Sequence, residues 1–369
     1  MPTGRLKKAF LGGNTPLGFH SFFDYNSIIN PSNIKRLFIF KGGPGVGKST
    51  FMCKIGEEML NQGFDVEFFF CSSDNNSLDG VVIPQIGVAL IDGTAPHIVD
   101  PRYPGAVDEI IHLGEHWDEG KIEKNKDEII RLNNEISRLF STAYRYLMQA
   151  KILHDEMESY YKDSGALNIA GLNQAAREIA DKIFNGKEKK NIPWVRHLFA
   201  SAITPNGAVN HLENIFAYFK KRIILSGPAG TGKSTIIKKI YWEAVNRGYD
   251  IEAYHCSLKP NELEHLAIEA LSTGIITSEF PHIFKPFPEK DVIINMLEYV
   301  DESCLKPYTA DLEEARRRYQ EAFTRAVDCI NKAKMLHDEL EKLYIPNMNF
   351  SAVDSLRKEI LKKIQNYKK

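Results

Sequence analysis

Two long ladders of apolar residues dominate the hydrophobic pattern of the chain. In the first, Ile129, Leu132, Ile136, Leu139, Ala143, Tyr146, Ala150, Leu153, Met157 and Tyr160 follow one another at steps of three and four. In the second, Leu312, Ala315, Tyr319, Ala322, Ala326, Cys329, Ala333, Leu336, Leu340 and Leu343 keep similar spacing with apolar, small or aromatic side chains. Such steps keep a row of side chains on one helix face, so each ladder predicts a helix of about ten turns lying along a partner. The expected partner is a shorter helix of the same repeat, over 171–184 or 352–365, with pairing between chains as the alternative. Shorter apolar runs read as strands: 37–41 and 87–91, with 65–71 beside them. A helix to about residue 62 and a short helix near 76–85 fill the gaps.

The ladders belong to a duplication, the first thing to look for in a chain of this size. "GGPGVGKSTFMCKIGEEMLNQGFDVEFFFCS" (42–72) aligns without gaps on "GPAGTGKSTIIKKIYWEAVNRGYDIEAYHCS" (227–257), with 15 of 31 positions identical. Pro96-His97 matches Pro281-His282 at the same offset, and "AKILHDEMESYY" (150–161) matches "AKMLHDELEKLY" (333–344). Upstream, "FLGGNTPLG" (10–18) resembles "FASAITPNG" (199–207), so each repeat begins well before its glycine-rich stretch. The charged "NGKEKKN" (185–191) reads as the linker, dividing the chain into 1–186 and 187–369.

Composition narrows the class. With 369 residues, 43% apolar and 26% charged, the chain has the make-up of two ordinary globular domains. A net charge of −1 offers no bulk attraction for nucleic acid or an anionic membrane. Cys53, Cys71, Cys256, Cys304 and Cys329 form no CxxC and suit buried thiols in a reducing compartment. The N-terminus lacks the apolar run of a signal peptide and no stretch is long enough to span a bilayer, so a cytoplasmic location is expected.

The duplicated glycine-rich stretches carry the chemistry. Gly42-Gly43-Pro44-Gly45-Val46-Gly47-Lys48-Ser49-Thr50 is GxxxxGK[ST] between an expected strand and an expected helix, the context this motif requires. Glycines let backbone N–H groups turn inward around phosphates, and the helix adds the positive end of its dipole. The lysine meets the β- and γ-phosphates and the serine hydroxyl meets Mg²⁺. The second copy keeps Gly227, Gly230, Gly232, Lys233, Ser234 and Thr235. The expected fold is therefore α/β: two tandem P-loop NTPase domains, each a parallel sheet in a three-layer α/β/α arrangement with a long heptad-patterned helix. ATP is favoured over GTP, because neither "NKDE" (125–128) nor "NKAK" (331–334) is a guanine-reading NKxD in place.

"VALIDGTAPH" (88–97) supplies the next candidate. Asp92 ends an apolar strand expected beside the loop strand, where such folds hold the Mg²⁺ shell; the alternative is an Asp that caps the following turn. Gly93 follows where a water-orienting Glu often stands. The expected site is therefore Lys48 and Asp92 as catalytic groups, the loop residues as the nucleotide cradle, and Ser49, Asp92 and Ser234 as metal ligands. Asp74, Asp79, Thr94, His97 and Arg102 are polar candidates near the phosphates. His97 is matched by His282, which favours a shared structural role such as a turn hydrogen bond. Asp74 falls opposite Lys259 and Arg102 opposite Phe287. The second copy has Thr277 in place of Asp92, with Glu279 two residues on, so it is expected to bind nucleotide and hydrolyse it poorly.

The paired loops, "SLDGVVIPQIGVALIDGTAPHIVDPRYPGAVDEIIHLGEHWDE" (77–119) and the helical tails resemble a family of bacterial tandem P-loop proteins known only as ATPases or ATP-binding proteins. The likeness spans essentially the whole chain and implies the P-loop NTPase fold and a cytoplasmic location, without a reaction. Three functions follow as expectations. One is an Mg-dependent ATPase active at the first loop and regulatory at the second, moving its long helices or a protein partner. Another is a phosphotransferase acting on a nucleotide or small metabolite, with the 72–85 loop as acceptor site; "RRR" (316–318) reads as a solvated face rather than a lid. The third is a nucleotide-binding module without turnover.

Overall fold

A computed structural model describes residues 3–189, 191–287 and 289–368; Lys190 of the expected linker lies outside them. Each half builds a six-stranded sheet. The first contains β1 (Leu6–Ala9), β2 (Arg36–Lys41), β3 (Val66–Phe70), β4 (Leu78–Ile83), β5 (Val88–Asp92) and β6 (Asp108–His112), in the order β1-β3-β4-β5-β2-β6. The second repeats that order with β7 (Val195–Leu198), β8 (Lys221–Ser226), β9 (Ile251–His255), β10 (Leu263–Ile268), β11 (Thr273–Ser278) and β12 (Asp291–Asn295). The longer helices are α1 (Lys48–Asn61), α2 (Lys126–Asp163), α3 (Ile169–Phe184), α4 (Lys233–Asn246), α5 (Thr309–Tyr344) and α6 (Phe350–Gln365). No described helix is long and apolar enough to cross a membrane. All five cysteines are free thiols, half-buried rather than fully buried as expected.

The sheets are mixed, not parallel. The segment expected as a helix near 76–85 is strand β4, antiparallel to both β3 and β5, followed by a 3-10 turn over Pro84–Ile86. Every residue of β4 is buried. A short run that is apolar on both faces has no period by which to tell a strand from a helix; here Val81, Val82 and Ile83 suit the strand.

The expected three-layer domains are also replaced. One face of the first sheet (Phe38, Phe40, Val81, Leu90) packs on Phe51, Met52 and Ile55 of α1. Its other face (Leu37, Ile39, Ala89, Ile91) joins Ile224, Tyr254 and Ile276 of the second sheet in a shared core. The layers therefore run helices, sheet, sheet, helices. Four buried charges bridge the sheets: Arg196 donates to Glu67 (3.0 Å) and Glu252 (3.1 Å), and Lys7 pairs with both acids. Arg196 also donates to the carbonyls of Ser27 (2.7 Å) and Ile28 (2.6 Å).

The long helices follow the ladders closely but choose a different partner. α2 and α5 lie against each other, Ala143 and Leu147 packing with Ala326 and Ile330, and Ala150 and Leu153 with Ala322. Numbers rise along one helix as they fall along the other, so the pair is antiparallel; alanines at the seam permit close approach. The shorter helices then cross over. α3, capped by Asn168 whose side chain accepts from Gly171 N–H, packs on α4 of the second half through Leu172, Ala176, Ile179 and Ile183. α6, capped in the same way by Asn349, packs on α1 of the first half through Val353, Ile360 and Ile364. The repeats are sequence units, whereas the packed bodies exchange their tail helices.

Candidate functional site

Between β2 and α1, residues 42–47 form the first glycine loop. Gly45 has φ 69° and Gly47 φ 91°, a left-handed conformation that side chains resist. Gly47 caps α1 without any side-chain hydrogen bond, so the first helical amides keep no side-chain acceptor. Lys48 folds back over the loop, its Nζ donating to the carbonyls of Gly42 (2.7 Å) and Gly43 (2.9 Å). Ser49 Oγ accepts from the Leu78 amide (2.9 Å), and Thr50 is exposed on the first turn of the helix.

Parallel pairing of β2 with β5 sets Phe40 opposite Asp92 and brings that acid to the loop. Asp92 Oδ2 stands 3.4 Å from Lys48 Nζ. Its Oδ1 accepts from the Thr94 amide (2.9 Å) and hydroxyl (2.5 Å). The carboxylate thus holds the turn with one oxygen and faces the lysine with the other. With the Ser49 hydroxyl it offers hard oxygen donors of the kind Mg²⁺ takes.

The other first-copy candidates separate. Asp79 and His97 form a buried pair, Nε2 to Oδ1 at 3.5 Å, beneath the ring of Phe23. Burial works against charge on His97, but Asp79, and then Asp92, hold its pKa above the ordinary value. Asp74 accepts from Ser77 Oγ (2.9 Å) and meets Lys334 of α5 at 3.4 Å. Arg102 lies over the rings of Tyr25 and Tyr103 rather than on the loop.

At the second loop the same backbone recurs, with Gly230 at φ 87° and Gly232 at φ 90° capping α4, and with Ser234 and Thr235 in its first turn. Lys233 Nζ donates to Gly227 O (2.6 Å) and Pro228 O (2.7 Å). Thr277 is buried in β11, its amide donating to His265 Nδ1 (3.1 Å). Glu279 Oε2 instead reaches Lys233 at 2.7 Å. The carboxylate missing from the equivalent position therefore arrives from two residues further on: β11 runs to Ser278 and the longer glutamate side chain reaches back.

Neither loop is completed by its own half. The Gly45 amide donates to Glu341 Oε1 (3.2 Å), from the end of α5. A Cβ on Gly45 would come within 2.9 Å of Ile345, and one on Gly230 within 2.6 Å of the Tyr161 ring at the end of α2. A short bridge joins Trp117 to Met348 and another joins Leu167 to Val300, fastening each helix end beside the opposite loop. The 74/259 difference also gains a reason. Lys334 meets Asp74, while Lys259 meets Asp155 (2.8 Å) and Glu158 of α2, so the same contact is made with charges reversed. Burial opposes the Lys259 ammonium, but those two acids keep its proton above the usual range.

These helix-end residues were missed as site residues, although a signal existed. The matched "LHDEMESYY" and "LHDELEKLY" keep His154, Asp155 and Glu158, and His337, Asp338 and Glu341, polar on a helix whose ladder is apolar. Arg317 pairs with Glu314 and Glu321 in solvent as expected, but Arg316 turns to a cavity beside the second loop.

A family model described as Nephrocystin 3, N-terminal, matches residues 20–82, the stretch that contains the first glycine loop. The chain matches no curated protein and no solved structure.

Proposed function

We propose that the chain is a magnesium-dependent ATP-binding protein that hydrolyses ATP mainly at the first glycine loop and binds nucleotide at the second, a tandem P-loop NTPase of the kind its duplicated motifs resemble. The observation that carries this reading is that each loop is roofed by the helix end of the other half. Phosphate entering the first loop competes with Glu341 for the Gly45 amide, so nucleotide at the loop acts on α5. In this reading Lys48 contacts the terminal phosphates, the loop amides and the α1 N-terminus hold the phosphate chain, and Ser49 and Asp92 hold Mg²⁺. Bound Mg²⁺ would draw charge from the terminal phosphate. Ser234 and Glu279 are the equivalent metal-side groups at the second loop. ATP is favoured over GTP by the lack of an NKxD in place.

A phosphotransferase is the second reading, favoured by the Gly93 that follows Asp92 and by a cavity at the second loop. The two separate in one assay of phosphate release from Mg-ATP by the purified full chain. Release without an acceptor, abolished by Lys48→Ala and largely kept by Lys233→Ala, is the expected result. Equal losses in the two variants refute a single dominant hydrolytic site, and release only after an acceptor is added favours transfer.

A further inference from the structure

A cavity of about 600 Å³ opens beside Gly227 and Pro228, where the Lys233 ammonium rests. It is walled by both long helices, Tyr161 from α2 and Tyr319 and Phe323 from α5, with Arg316 at its edge. Tyr319 and Phe323 stack on each other with ring centroids 6.0 Å apart, giving a continuous aromatic side to the cavity. The lining also carries polar groups, among them Ser226, Ser278 and Glu279. Glu264 lines the cavity with Oε2 shielded and unpartnered, and His282 lines it with Nδ1 unpartnered. His265 Nε2 behind them, 3.7 Å from Glu264 Oε2, has no hydrogen bond either.

The first copy differs in one contact at these positions, although there too one atom of each residue, Asp79 Oδ2 and His97 Nδ1, is buried without a partner. Glu264 is the counterpart of Asp79 and His282 of His97, and Asp79 and His97 form the buried pair described above. In the second copy Glu264 and His282 make no such pair. Three residues that line this space, His154, Glu264 and His282, each carry a buried polar atom without a partner, and unsatisfied groups gathered around a cavity of this size call for a ligand that supplies the missing partners. Burial, reinforced by Glu279, pushes Glu264 up to about 8, and burial brings His282 down to about 4, so near neutral pH both are uncharged. A carboxylic acid offers an O–H donor and a carbonyl acceptor side by side.

We propose that this cavity binds a nitrogen heterocycle of nucleoside size with an anionic tail, its ring against the Tyr319–Phe323 wall, its hydrogen-bonding edge on Glu264 and its tail at Arg316. A donor and an acceptor on adjacent ring positions complement the Glu264 carboxyl group, and the guanidinium suits a phosphate or carboxylate. The site lies at the lysine end of the loop, where a triphosphate ends, and is therefore separate from the place of the ATP base. That last placement rests on the proposed phosphate-binding role of the loop; the binding itself does not.

Calorimetric titration of the full chain with the four nucleoside monophosphates tests it. At least one should bind, with affinity kept in Glu264→Gln, which retains a donor and an acceptor, and reduced tenfold or more in Glu264→Leu. Arg316→Ala, on an exposed helix face, should weaken the monophosphate about tenfold and leave the matching nucleoside unchanged. Lys233→Ala should leave monophosphate binding intact even if it abolishes ATP binding, which keeps failure of this site distinct from failure of the ATPase reading. No binding by any of the four, indifference to both Glu264→Leu and Arg316→Ala, or loss of binding in Lys233→Ala overturns the proposal.

Discussion

Glu264→Gln should make the protein more stable, and increasingly so as pH rises. The unfolded chain releases the Glu264 proton near its ordinary value of 4.5, while the folded chain holds it until about 8. Between those values folding must take up a proton, so wild-type stability falls with rising pH, and above both the difference stops growing. At neutral pH this amounts to about 3 kcal/mol, taking about 1.4 kcal/mol for each tenfold step in proton affinity. That is a ceiling, since Glu264 opens on a cavity that water can enter. Glutamine has the same shape and no proton to release. Urea denaturation of both proteins from about pH 4 to about pH 8.5 should show curves that nearly coincide at the acid end and separate by roughly 1–3 kcal/mol at neutral pH. A separation that does not change with pH, or a variant less stable than wild type across the range, refutes an acid kept protonated by burial.

Three other perturbations test separate parts of the structure. Glu341→Ala frees the Gly45 amide, and fluorescent ATP analogue should bind the first loop about fivefold more tightly in a Lys233→Ala background; weaker binding would mean that Glu341 supports the loop rather than competing with phosphate. Arg196→Leu leaves Glu67 and Glu252 buried without their arginine and should cost about 3–5 kcal/mol in urea, with both halves melting in one transition; two separated transitions would contradict the shared core. His97 is held above its ordinary 6.5 by Asp79, so its stabilisation is complete below that value and lost as pH rises through the higher folded value. Asp79→Asn should remove that decline, and an imidazole NMR titration placing His97 below 6.5 would sink the pair.

The duplication, both glycine loops, the strands beside them and both long helices were legible because each rests on a local pattern: a motif, a buried run, a period of three and four. What packs against what was not. Phe51, Met52 and Ile55 of α1 correspond to Ile236, Ile237 and Ile240 of α4, so a tail helix finds an equally apolar groove in either half. The choice is made by geometry. Each tail helix follows its long helix after a short connection, Asp163 to Ile169 in the first half, so it begins where the long helix ends, beside the opposite loop. Glu279 was hidden for a similar reason. Its reach to Lys233 depends on strand β11 extending through Ser278 and on one further methylene, neither of which an alignment against Asp92 records.

The crossed packing makes the two loops parts of one mechanical unit. α5 has 36 residues, a rod of about 54 Å. Near its start, Arg316 and Tyr319 line the cavity of the second half; near its end, Glu341 and Tyr344 press on the first loop. A change at either end that shifts α5 along α2 must slide the alanine seam formed by Ala143, Ala150, Ala322 and Ala326, where close-packed surfaces favour discrete arrangements over gradual ones. Occupancy of the cavity and of the first loop can then influence each other only as far as each ligand prefers one arrangement, and by the same factor in both directions. If the first loop holds phosphate as proposed, Glu341 is the contact through which it would report, because it alone among these α5 groups takes a hydrogen bond that a phosphate would displace.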